Sequence, residues 1–419
     1  MRVPSLRATL AVVALLSPSA AGALAACGSS SSGSGGEPDA SGSETSTPEA
    51  GDSSVQHDTS ITESGGDGPI DGGGGGDTGE VDTGMLGYAD GGGFSGDCGV
   101  GLVGEPTDLR CTGLYSDWDA KTVAADMQEY DPGLHLWSDG ADKTRWIYLP
   151  AGQKIDTTDM DEWTFPIDTK IFKEFRLTLP DAGAETRIET RMLWKQSSTT
   201  WYRTTYIWTA DGVTDAVEST DGELDAGGTG YEIPNQDECN QCHNGRMDGV
   251  LGFEAVALSS SGASGLDMTA LKAQGLLTAP PTSALTVPGN AKESAALAYL
   301  HMNCGTSCHN SGFGQAFPTG FFMRLDVAKL ASVQATDTYT TGWNVPTQNF
   351  TIPDASASFR IHACDTSSSC AYYRPSVRDG VDGTPVNTQM PPIDTHKVDV
   401  PDLAVIAAWI NEACDAGHD

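Results

Sequence analysis

The sequence predicts a multidomain protein in which an all-β, sandwich-like domain (residues 98–230) precedes a mainly α region with long loops (231–419). Three observations predict it. Between about 131 and 220 the side chains alternate with a period of two, broken by turn signals. After Gly230 the texture changes to short helical patches separated by Gly-, Ser- and Pro-rich stretches. Ahead of both, residues 28–97 are almost devoid of large apolar side chains and cannot build a core.

The chain opens with Arg2 and Arg7, a short apolar run interrupted by Ser17 and Pro18, and small residues leading to Leu24-Ala25-Ala26-Cys27. That run is too short to span a bilayer comfortably and reads as a cleaved secretory signal over residues 1–26. Leu-Ala-Ala-Cys resembles the lipobox of bacterial lipoproteins, which implies lipidation at Cys27. Gly28 lacks the aspartate that resembles an inner-membrane retention signal, so the expected location is the outer membrane, facing periplasm or surface. Residues 27–97 then form a tether. Fourteen Asp or Glu occur in 28–97, and no Lys or Arg stands between Arg7 and Arg110. A self-repelling coil of that length reaches on the order of 45 Å.

The net charge of −34 divides into +2 from the signal, −14 from the spacer and −22 from the body. An acidic body argues against nucleic acid and suits a basic protein partner. Within the body, WYRTTYIW sets Tyr202, Thr204, Tyr206 and Trp208 against Trp201, Arg203, Thr205 and Ile207. Residues 186–194 likewise set Thr186, Ile188, Thr190, Met192 and Trp194 against Arg187, Glu189, Arg191 and Leu193. RWIYLP (145–150) and KIFKEFRLTLP (170–180) are further strands, the second ended by Pro180. Turn signals at Asp139-Gly140, Ala151-Gly152, Asp181-Ala182-Gly183 and Asp211-Gly212 separate them. Ser138-Asp139-Gly140-Ala141-Asp142 has oxygen ligands enough for calcium, but a turn is the simpler reading.

Helices are expected over Thr269–Leu277, Ala291–Met302 and Val400–Ala413, the last with Asp399 as cap and Pro401 in its first turn. At the start of this region stands Cys239-Asn240-Gln241-Cys242-His243. In C-x-x-C-H, two thiols one short turn apart reach the two vinyl groups of a porphyrin, and the next imidazole binds iron axially. A disulfide loop and half of a zinc site compete, and secretion favours haem over a structural zinc cluster.

The sequence resembles bacterial dihaem c-type cytochromes with a β-rich N-terminal domain. The resemblance covers most of residues 130–412. It rests on LWSDGADKTRWIYLPAGQKI (136–155), EWTFPIDTKIFKEF (162–175), IPNQDECNQCHN followed by GVLGFEAVAL, ALAYLHMNCGTSCHN (296–310), QMPPIDTHKVD (389–399) and the helix holding Ala408-Trp409-Ile410. It implies a cytochrome c-like region carrying two covalently bound haem c groups, and electron transfer among envelope redox proteins. It identifies neither donor nor acceptor.

At the second motif the chain departs from the family, because Cys304 and Cys308 are separated by three residues before His309. A residue bulging out of the turn leaves both sulfurs within reach of the porphyrin, and His309 keeps its place after Cys308. Cysteine arithmetic keeps a rival open. Setting aside Cys27 and four haem thiols leaves Cys98, Cys111, Cys364, Cys370 and Cys414. Cys98–Cys111 and Cys364–Cys370 are the expected local disulfides, with Cys414 unpaired. Attachment through Cys308 alone would release Cys304 to pair with Cys414, and a chain without a second haem is the third reading.

Met390, in a Pro-stiffened loop and matching the family's Met-Pro-Pro segment, is the expected sixth ligand of the second haem, with His396 as fallback. For the first haem the candidates are Met247, Met302, His301, Met268, His135 and His362, and none stands out. Three functions follow: a tethered electron carrier, a redox enzyme of peroxidase type with one open axial site, and a surface binding protein whose β domain captures a ligand. The first is the expectation, and no catalytic triad, phosphate loop or metalloprotease helix competes with it.

Overall fold

The computed structural model describes Cys98, residues 105–180 and residues 183–415. The segments expected as signal and tether, with Cys27 as the expected lipidation site, lie outside the described residues. From residue 105 onward the described chain belongs to one compact unit.

A two-stranded ribbon, β1 (Tyr115–Asp117) and β2 (Thr122–Val123), precedes the main sheet. That sheet is formed by β3 (Gln128–Asp131), β4 (Asp142–Tyr148), β5 (Lys170–Thr178), β6 (Glu185–Lys195), β7 (Trp201–Trp208), β8 (Ala216–Ser219) and β9 (Ser264–Gly265). The order is β8-β7-β6-β5-β4-β3-β9 and every pairing is antiparallel. The expected sandwich is therefore corrected to one seven-stranded sheet with helical and loop segments against it. Alternation reports that both faces are covered and does not say by what. One face buries Trp146, Phe172, Met192, Tyr202, Tyr206 and Trp208 under Leu109, Leu114 and Tyr115. The other packs Ile147, Ile171, Leu193 and Trp201 against Phe253, Leu258, Leu266 and Leu271, all from the segment that follows the first cysteine motif.

The alternation expected along β6 fails at one residue. Phe175 pairs with Glu189 and Arg176 with Arg187, so Ile188 is a bulge. One inserted residue exchanges the faces. Arg187 therefore joins Glu174, at 2.9 Å, and Ile188 packs with Phe175 and Tyr231 rather than beside Met192.

The helices are α1 (Gln236–His243), α2 (Ala255–Leu258), α3 (Met268–Ala273), α4 (Ala291–Leu300), α5 (Asp337–Gly342), α6 (Cys370–Tyr373) and α7 (Val400–Asp415). Asp399 accepts the Asp402 N–H at the start of α7. Leu297 and Leu300 of α4 meet Ile406, Trp409 and Ile410 of α7 in a second core. That packing also resolves the cysteines. Cys98 pairs with Cys111 as expected, with Cα atoms 5.3 Å apart. Cys364 pairs with Cys414 at 5.2 Å, not with Cys370, which is a buried free thiol. The Cys364 N–H bonds to the Ile410 carbonyl, so the loop lies against the last turns of α7. A pairing of Cys304 with Cys414 is excluded by the same bond, and all four motif thiols are free.

Candidate functional site

The first motif is set by a helix start. Asn235 caps α1 by accepting the N–H groups of Asp237 and Glu238, and Glu238 returns the bond to the Asn235 N–H, at 2.9–3.0 Å. Yet α1 has no fully buried residue. Most of it is half-buried, and Cys239, Cys242 and His243 all face one open cavity.

The second motif reaches the same cavity by a different turn. After α4 the backbone widens over His301–Gly305 into a π-turn. The Thr306 N–H bonds to His301 O at 2.8 Å and the His309 N–H to Cys304 O at 2.7 Å, each spanning five residues. A π-turn holds one residue more per turn than an α-turn. The extra residue in C-x-x-x-C-H is absorbed there, and Cys304, Cys308 and His309 line the cavity together.

The two motifs also touch. The Asn310 amide donates to Gly245 O and Gly305 O, and the Gln315 amide to Gln241 O. A Cβ on Gly245 would lie 1.7 Å from Ser307 O, so only glycine permits this approach.

Both histidines are oriented alike. His243 Nδ1 lies 2.5 Å from Gly249 O, and His309 Nδ1 lies 3.0 Å from Phe321 O. A carbonyl only accepts, so Nδ1 carries the proton and Nε2 presents its lone pair. A carbonyl on Nδ1 fixes the ring and leaves Nε2 free to ligate a metal. Burial lowers the pKa of both rings, His243 well below the usual value, which keeps them neutral. Gly249 adopts a left-handed φ of 65°, and a Cβ there would strike Arg203. Burial pushes the Cys242 and Cys304 thiols up to about 12 and raises Cys239 too. Neutral thiols of this kind are poor nucleophiles. The donor set suits a porphyrin held by thioethers and imidazoles.

The cavity measures about 390 Å³, within the size range of cofactor sites. Met390 lies in its wall, on a loop pinned by Arg374, which donates to the carbonyls of Asn387 and Thr388. Asp379 accepts the N–H groups of Asn387, Thr388 and Gln389 from the other side. The fallback His396 is exposed, bonds to Glu232 and is not in the wall. Of the candidates for the first motif, only Met302 lines the cavity. His301 spends both nitrogens, accepting from Leu325 N and donating to Glu254. Met247 is 57% exposed and Met268 belongs to the sheet core. His135 bonds Asp131, and His362 stacks on Phe359. Met323, which the sequence did not single out, is a third methionine in the wall.

The remaining wall is the sheet itself, through Lys143, Arg145, Lys173 and Arg191. Period two placed Arg191 opposite Met192, but nothing local told which face meets the motifs. The segment proposed for calcium is a turn closed by Ala141 N to Ser138 O, and its Asp139 accepts the N–H groups of His396 and Lys397. Comparison with protein-family models, curated proteins and solved structures finds no match for this chain.

Proposed function

We propose that the protein is a lipid-tethered dihaem c-type cytochrome that passes single electrons between redox partners of the cell envelope. The observation that carries this reading is the convergence of two Cys/Cys/His sets on one cavity, each histidine with Nδ1 on a backbone carbonyl. Bound haem would supply a one-electron iron couple. Cys239 and Cys242 would hold one group and Cys304 and Cys308 the other, with His243 the iron ligand of the first and His309 and Met390 those of the second. The contact between the motif loops at Gly245 and Asn310 keeps the two sets adjacent, as transfer between them requires. The sheet excludes water from one side. At the cavity edge Glu232, Glu238 and Asp394 bring their oxygens within 4.8 Å of one another, and this acidic rim suits a basic partner.

The test is haem content. The full chain is produced with a c-type haem maturation system and measured by intact mass and pyridine haemochrome. The expected result is two haems, with one lost in Cys239→Ala/Cys242→Ala and the other in Cys304→Ala/Cys308→Ala. A single haem indifferent to Cys304 and Cys308 would overturn the dihaem reading. Catalytic turnover of peroxide would favour the enzyme over the carrier.

A further inference from the structure

Three cations stand directly opposite one another on the inward face of the sheet. Arg145 of β4 pairs with Lys173 of β5, and Lys173 pairs with Arg191 of β6. Directly opposed side chains lie about 5 Å apart at Cβ, and like charges there are destabilising. All three border the cavity. Arg191 is neutralised by Glu189, through bonds of 2.6 and 2.8 Å. Lys173, 8% exposed, has among the described residues only the Leu251 carbonyl as acceptor.

Arg145 is 6% exposed, and among the described residues no acceptor meets its guanidinium. The Tyr130 hydroxyl, within its electrostatic reach, is also buried without a partner. By contrast, Arg360 and Arg374 in the same wall are satisfied by carbonyls. A buried, unpaired cation is among the costliest features a fold can carry. Asp131 lies within electrostatic reach of Arg145, but among the described residues no carboxylate bonds to either cation, and the pair calls for an anion supplied from outside the chain.

We propose that Arg145 and Lys173 form a carboxylate site, occupied by the propionates of the haem held at Cys239, Cys242 and His243. This rests on the haem reading above. The planar guanidinium suits a bidentate carboxylate bond, with Lys173 supplying a second charge. The β region is then one wall of the cofactor site, not a separate receptor. Both residues are positioning residues that fix the carboxylate edge of the ring.

The experiment compares the full, haem-loaded chain with Arg145→Gln, Arg145→Lys and Lys173→Gln. Haem stoichiometry, the propionate bending bands in resonance Raman, and the midpoint potential of each haem are read. Thioether attachment keeps the stoichiometry unchanged. In Arg145→Gln and Lys173→Gln the propionate bands are expected to shift and one midpoint to fall, since losing a nearby cation favours ferric iron. Arg145→Lys keeps the charge, so it restores most of the midpoint while the band stays shifted. If Arg145→Gln does not accumulate, Arg145→Lys decides alone through its band. Haem present with propionate bands unmoved in every variant overturns the carboxylate site and leaves the haem reading standing. No haem in the unmodified chain overturns both.

Discussion

Lys195 and Asp248 make the sharpest test of how the first motif is held to the sheet. Lys195 ends β6, and Asp248 lies five residues beyond His243. Their side chains are 1% and 8% exposed. The lysine Nζ is 2.7 Å from each carboxylate oxygen. Asp248 also accepts the Phe165 N–H at 2.6 Å and the Trp201 indole N–H at 2.9 Å. At an effective dielectric of 20 the attraction at 2.7 Å is about 6 kcal/mol, and burial of both ions cancels much of it. The asymmetry lies in what each deletion strands. Lys195→Met leaves a carboxylate with two neutral donors and is expected to cost about 3 kcal/mol. Asp248→Ala strands the ammonium and two N–H groups, each worth roughly 1–3 kcal/mol, and is expected to cost at least 5 kcal/mol. Because Asp248 adjoins Gly249, the carbonyl that orients His243, its loss should also perturb the first imidazole. Urea denaturation of both single variants and the double variant, followed by Trp fluorescence, gives the cycle, with an expected coupling of about 2 kcal/mol or more. Additive costs, or less than 1 kcal/mol for Asp248→Ala, would refute the reasoning.

Haem counting across the cysteine variants is expected to return two, one and one, and resonance Raman of Arg145→Gln is expected to show displaced propionate bands. Met390→Ala in the loaded chain should abolish the sulfur-to-iron charge-transfer band of the second haem and lower its potential. An unchanged spectrum would move the ligand to another methionine. Glu254 caps α2; burial raises its pKa, but the hydrogen bond from the His301 ring N–H, the Arg246 charge and the Val256 N–H outweigh it and hold the carboxyl at about 2. The folded value lies below the unfolded value of about 4.3, so its contribution is complete above that pH and is lost as pH falls toward 2. Glu254→Gln should flatten the acid limb of stability against pH between those values, and an unchanged limb would count against it.

Much of the local structure was legible in the residues. The start of the helix expected from Ala291 and the Asp399 cap of the helix from Val400 stand in the structure as read. The alternation in WYRTTYIW sorts β7 onto its two faces without error, since period two is a property of the strand alone. C-x-x-C-H could be read as chemistry because its spacing lies within one turn. The C-x-x-x-C-H motif could be read only halfway. Its residues allow a bulge, but the five-residue bonds from Thr306 and His309 are set by how α4 runs into the loop that follows.

What escaped the sequence depends on partners distant along the chain. Cys370 lies nearer to Cys364 in number, yet the crossing of α7 over α4 brings Cys414 to it. The short strand Ser264–Gly265, which has no hydrophobic signature, joins the sheet because the Tyr130 edge needs its backbone bonds completed. The bulge at Ile188 is invisible until β5 sets the count on the opposite strand.

The residues alone located the strands around 145–150, 170–180, 186–194 and 201–208, the helices that begin near 269, 291 and 400, and the two cysteine–histidine motifs. Only the tertiary structure decided that one sheet replaces a sandwich, that both motifs open on a single cavity, and that Arg145, Lys173 and Arg191 stand in line along its wall. The physical reason is range. Caps, turns and periodicity are settled within a few residues, whereas strand register and helix crossing join side chains from 18 (Lys173 and Arg191) to 109 (Leu297 and Ile406) positions apart.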